Sequence, residues 1–136
     1  MKEMVYQSER TIDVLEDNYY KDHYYVVLSL GTHPCGYVEV PKSNKLYGIY
    51  MDKIWDKYDI KCNGGVTYTR RYLSLDNKNE TYRGWWIGWD YTHCWDYDGS
   101  LLKYSFDISD KKKWTTPEIV AECKSVIDQL IEYKKE

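Results

Sequence analysis

Apolar and polar residues alternate with a period near two along most of the chain, and with a period near 3.6 only at its end. His23-Tyr24-Tyr25-Val26-Val27-Leu28-Ser29-Leu30 is aromatic or β-branched almost throughout, which predicts a strand well inside a sheet. A turn signal follows from Gly31 to Pro34. Gly36-Tyr37-Val38-Glu39-Val40 alternates and halts at Pro41, predicting a second strand. Gly65 to Thr69 predicts a third, entered through a glycine pair, and Gly84-Trp85-Trp86-Ile87-Gly88-Trp89 a fourth. Between them, Asp76 to Glu80 is a polar turn. Ile12, Val14 and Leu15 suggest a short helix over Ser8–Glu16. Pro41 to Tyr58 reads as a long connection that tucks Tyr47, Tyr50, Ile54 and Trp55 inward. Tyr91 to Lys113 reads as irregular and exposed.

The last element is the clearest. Thr116 caps, Pro117 suits the first helical position and Glu118 favours the helix dipole. Ile119, Val120, Cys123, Val126, Ile127, Leu130 and Ile131 then form one helical face. The expected fold class is α+β: a single antiparallel or mixed sheet of about four or five strands packed by a C-terminal amphipathic helix. Residues 1–136 form one domain, with no linker or repeat.

Composition changes this picture in one respect. The chain has 16 Tyr and 6 Trp but a single Phe, so its large side chains carry polar ends that need partners. The net charge of −3 argues against duplex nucleic acid as a partner. No apolar run approaches the ~20 residues that span a bilayer, and the first ten residues lack a signal-peptide pattern. A cytoplasmic location is the expectation. The cysteines (Cys35, Cys62, Cys94, Cys123) are then reduced, and none are spaced C-x-x-C. Neither a metal nor a cofactor is expected, and a homo-oligomer stays open.

Three stretches carry candidate chemistry. His33-Pro34-Cys35-Gly36-Tyr37 places an imidazole and a thiol two residues apart. With His93 and Cys94 they have zinc-type donors without zinc-type spacing. Asn63-Gly64-Gly65-Val66-Thr67-Tyr68-Thr69-Arg70-Arg71 joins a glycine pair, which lets backbone approach a ligand, to two arginines that alternation sends to opposite faces. Trp85 to Asp96 crowds tryptophans, Gly88, Asp90 and His93 together. Alternation puts Trp86 opposite Trp85, Ile87 and Trp89, with Gly88 leaving space beside the Trp86 ring.

In order along the chain, these stretches resemble an uncharacterised family of small bacterial and phage proteins. The shared pattern is H-x-C-G-Y-V-x-V-P at His33–Pro41, Y-G at Tyr47-Gly48, H-G-G-[LI]-T-Y at 63–68, and W-W-[IF]-G-F-D-x-x-H at Trp85–His93. Asn63 replaces a histidine of the pattern and Trp89 a phenylalanine. The resemblance implies a phage or prophage setting and hands over no activity.

The leading expectation is a protein that binds a small anionic, nucleotide-like ligand, for instance to sequester an immune signal. The pocket is expected where the glycine pair meets the end of the tryptophan strand. Trp86 or Tyr68 would stack and Arg70 or Arg71 would pair with an anion. His33, Tyr37, Asn63, Gly64, Gly65, Thr67, Asp90 and His93 would complete the site, with His33, Asn63, Asp90 and His93 converging on one cavity. One alternative is a small hydrolase or phosphodiesterase using His33, Asp90 and His93, or Cys35 or Cys94 as nucleophile. Another is an inhibitor of a host defence enzyme, with the exposed stretch Tyr91–Tyr104 and its acids Asp96 and Asp98 as the contact surface.

Overall fold

The computed structural model describes residues 1–75, 80–104 and 107–135. Its elements in chain order are β1 (Asp13–Tyr20), β2 (His23–Ser29), β3 (Pro34–Val40), α1 (Met51–Lys57), β4 (Tyr68–Leu75), β5 (Glu80–Asp90), a 3-10 helix (Gly99–Lys103) and α2 (Thr116–Ile131). The strands form one sheet in the order β1-β2-β3-β5-β4, with every neighbouring pair antiparallel. This is the expected α+β architecture. The polar turn expected at Asp76 to Glu80 falls mostly outside the described residues. No helix among the described residues is long and apolar enough to cross a membrane.

The expected helix over Ser8–Glu16 is instead the approach to β1. Its register with β2 slips between Val14 and Glu16, a β-bulge that leaves Leu15 as the extra residue. Leu15 joins the cluster under α2, while Ile12 and Val14 pack against the opposite cluster. An apolar spacing that mimics a helix face is thus a strand with one extra residue.

The cap of α2 is Thr115, one residue before the expected Thr116. Thr115 and Glu118 form a reciprocal capping box, with Thr115 N donating to Glu118 Oε1 at 3.0 Å. Thr116 turns inward, and its hydroxyl donates to the Lys2 carbonyl at 2.6 Å. The helix buries Ile119, Val120, Cys123, Val126, Ile127 and Leu130 against Val27, Val38, Val40, Trp85, Ile87 and Trp89. α1 contributes Ile54 to this core. Its neighbours Tyr50 and Trp55 are 58% and 61% exposed, so the inward tuck expected of them fails. Trp55 still ties the connection down through its indole N–H on the Val66 carbonyl at 2.9 Å.

The other sheet face is covered by the sheet itself. Arg70 pairs with Trp86, but Tyr72 pairs with Arg83. Gly84 and Trp85 together therefore oppose Arg71, a bulge on β5. Gly84 sits there at φ +126°, a conformation open to glycine almost alone. Regular alternation from Tyr68 would send Leu73 and Leu75 to the α2 side. Instead they are buried in one cluster with Val26, Leu28, Cys35, Tyr37 and Trp86, and Tyr68 packs against it. Beyond the bulge, the β4–β5 hairpin is turned over and lies on the face that α2 leaves open.

The described residues between 91 and 113 are also less exposed than the sequence suggests. Tyr91, Asp96, Tyr97 and Ile108 are buried in it, and Asp98 caps the 3-10 helix through Ser100 N. Asp96 is therefore no part of an exposed acidic surface, which corrects that expectation.

Candidate functional site

The glycine-pair turn and the end of β5 do meet. The turn is closed by Gly65 N on the Cys62 carbonyl at 2.9 Å. Gly64 and Gly65 take φ of +72° and +83°. The His93 imidazole lies directly on Gly64: a Cβ placed there would come within 1.9 Å of His93 Nε2. On its other side the ring stacks on Trp95 with centroids 4.9 Å apart and planes 9° from parallel. The expected hollow is filled by the histidine that was to line it.

A buried carboxylate organises this knot. Asp96 is 1% exposed. Its Oδ2 accepts from Asn63 Nδ2 at 2.8 Å, from the His93 backbone N–H at 3.0 Å and from His93 Nδ1 at 3.1 Å. Its Oδ1 accepts from Trp114 Nε1 at 2.8 Å. A carboxylate only accepts, so Nδ1 carries the imidazole proton. Asn63 Oδ1 accepts in turn from Trp95 Nε1 at 2.9 Å. Its backbone N–H reaches Glu122 Oε1 on α2 at 3.1 Å, as does the Tyr91 hydroxyl at 2.6 Å. Trp89 Nε1 donates to that hydroxyl at 2.9 Å. One network thus ties the glycine turn, the end of β5, the segment before α2 and α2 itself together. Trp114 and Glu122 were not among the expected site residues; Trp95 and Asp96 lay in the candidate stretch Trp85–Asp96, but Asp96 was expected as an acid of an exposed contact surface rather than as a buried acceptor.

Such a histidine is poorly arranged for acid–base work, with Nδ1 engaged by Asp96 and Nε2 against Gly64. Asp90 stands at the edge: its Oδ1 accepts from the Thr92 hydroxyl at 2.7 Å, and Thr67 Oγ1 approaches Oδ2 at 3.4 Å. His33 does not join the group by a direct contact. It follows Thr32, whose hydroxyl meets Nδ1 at 2.8 Å, and Cys35, two residues on, is the register partner of Asp90. Burial pulls the His33 imidazole below the usual 6.5, against the opposing pull of Asp98 and Asp90. Burial pushes the Cys35 and Cys62 thiols up to about 12, which leaves little thiolate for nucleophilic attack. Among the described residues, no group of three or more His, Cys, Asp or Glu side chains is placed to hold a metal. A cavity of about 800 Å³ beside the knot is lined by Asn63, Gly64, Asp59, Lys61 and Glu122 among others. Its two carboxylates against one lysine do not suit an anion.

Two other expected residues are fillers of the sheet. Trp86 is fully buried and meets the rings of Tyr24 and Tyr82, so it offers no face for stacking. The space at Gly88 is occupied by Tyr37, 2.4 Å from where a Cβ would stand.

The arginines lie elsewhere, and together. Alternation predicted opposite faces. Because the hairpin turns over at the bulge, Arg70 and Arg71 both line one groove of about 1000 Å³ between β4 and the segment entering α1. Thr67, Tyr68, Tyr72, Tyr50, Lys53 and Trp85 are also on its walls. Tyr50 meets the Trp85 ring edge-on at 5.3 Å. Arg70 lies over the Tyr68 ring at 5.8 Å, with Nη1 3.4 Å from the Tyr72 hydroxyl. No ion pair among the described residues engages Arg71.

The chain matches no known protein family, no curated protein and no solved structure, so the fold and both regions rest on its own residues.

Proposed function

We propose that this protein binds a small, flat, anionic ligand of nucleotide type, and that the β4 groove receives it. The observation that carries the reading is the pairing of Arg70 and Arg71 with Tyr50, Tyr68 and Tyr72 around one open space. A guanidinium matches phosphate or carboxylate in a bidentate fork. Tyrosine offers a ring face at low entropic cost. Lys53 adds a third cation against the single carboxylate of Asp52. The volume suits a ligand of nucleotide size. Thr67, Tyr68, Arg70 and Arg71 keep the roles expected of them, whereas Asn63, Gly64 and His93 support the fold nearby. Nucleotide immune signals are the first ligands to try, with sequestration rather than turnover as the proposed outcome.

The test is a thermal-shift screen with cyclic dinucleotides and ADP-ribose derivatives. A ligand that binds only the folded chain raises its stability by ~2.7 kcal/mol at a hundredfold excess over Kd. The expected result is a shift with at least one compound, recovered intact, that falls to about half or less in Arg71→Gln at the same ligand concentration. Absence of a shift across the panel contradicts the reading.

A further inference from the structure

On the far side of the turned hairpin lies a second pocket of opposite charge. It has a volume of about 500 Å³ and is lined by Asp17, Tyr19, Tyr24, Glu39, Tyr82 and Arg83 among others. Tyr19, Tyr24 and Glu39 come from three adjacent strands. Tyr19 is the register partner of Tyr24, and Glu39 follows Val38, the partner of Tyr25. Tyr19 stacks on Tyr24 at 4.9 Å, and Tyr82 meets Tyr24 edge-on at 5.8 Å. The rings thus present faces in two directions. Asp17 is held by a hydrogen bond from the Tyr24 hydroxyl.

Glu39 is the telling group. It is half-buried, and no hydrogen bond or ion pair among the described residues engages it. Burial raises its carboxyl above the usual range, with His23 opposing. A carboxylate held so, beside electron-rich ring faces, is matched by a positive group carrying an apolar skin.

We propose that this pocket is a second binding site, one that takes an alkylammonium group, with Glu39 and Asp17 supplying charge and Tyr19 and Tyr82 supplying ring faces. A hydrated metal ion would gain nothing from the rings, whereas a methylated or primary amine uses both. Arg83 stands at the rim and weakens the site by like charge.

The experiment is an NMR titration of the whole chain with choline, run beside ethanolamine, magnesium chloride and 3,3-dimethyl-1-butanol, the neutral isostere of choline. The expected result is saturable shifts at Tyr19, Tyr24 and Tyr82 with an amine and none with the isostere or magnesium. Glu39→Gln weakens binding roughly tenfold, Arg83→Gln strengthens it, and Tyr19→Ala weakens it at a position too exposed to threaten folding. Equal shifts with the isostere, or none at these rings with either amine, overturn the proposal. The β4 groove takes no part in this outcome, so the two sites stand or fall separately.

Discussion

The knot around Asp96 and the groove beside β4 hold similar residue types but use them in opposite ways. In the knot, Asn63, His93, Trp95 and Trp114 have their polar atoms turned toward one another or toward the Asp96 carboxylate. In the groove, Arg71 has no ion-pair partner among the described residues, and Tyr50 lies open to solvent. Polar groups that satisfy each other fix a structure; groups left unmatched at a surface await something else. The histidine, aspartates and paired glycines that look most like chemistry in the sequence thus serve the fold. The arginines, less distinctive in sequence, line an open groove instead.

The comparison breaks first at Asp96. Asp96→Asn puts an amide N–H among four donors and is expected to cost about 3 kcal/mol, lowering the thermal midpoint by roughly 10 °C. Below about 1 kcal/mol in a denaturant titration, the knot would not be holding the fold. Gly64→Ala follows, at about 2 kcal/mol, because the new methyl meets the His93 ring and the backbone has positive φ. Both variants, where folded, should keep the affinity of the groove. Arg71→Gln should do the reverse: stability within about 0.5 kcal/mol of the parent, and affinity for the best nucleotide of the screen down roughly tenfold or more by calorimetry. A large loss of stability in Arg71→Gln would erase the distinction between the two regions.

The smallest effect concerns His33. Burial lowers its pKa in the folded chain below 6.5, so the unfolded chain takes up the proton first. Its contribution to stability is therefore full above pH 6.5 and declines as the pH falls from there toward the folded value. Denaturant midpoints measured from pH 7.5 to 5 should show a decline that is shallower in His33→Gln. An equal slope in both would mean that another group carries it.

Much of the fold was legible because periodicity reports burial directly. The α2 face from Ile119 to Leu130 and the opposition of Trp86 to Trp85, Ile87 and Trp89 follow from spacing alone. What escaped were places where one residue breaks the count. The slip between Val14 and Glu16 makes a strand resemble a helix, and the bulge at Gly84 and Trp85 turns the hairpin over and gathers Arg70 and Arg71. The β1–β2 turn escaped for a related reason. Lys21 and Asp22 both adopt positive φ, of 49° and 64°, as a type I′ turn needs, without the usual glycine. Lys21 is steadied there by Asp128 on α2 at 2.8 Å, a partner more than a hundred residues away that no local pattern announces. The candidate site was half legible. The meeting of Asn63, Asp90 and His93 was foreseeable, but not that Asp96 would fill the space between with hydrogen bonds.

Chemical-shift mapping separates the two regions most directly. The backbone amides of the whole chain are followed while the nucleotide with the largest thermal shift is added. The account predicts saturable changes centred on Thr69 to Tyr72 and on Tyr50 to Lys53, with Asn63, His93 and Trp95 little moved. Changes centred on Asn63, His93 and Trp95 with a silent β4 would contradict it.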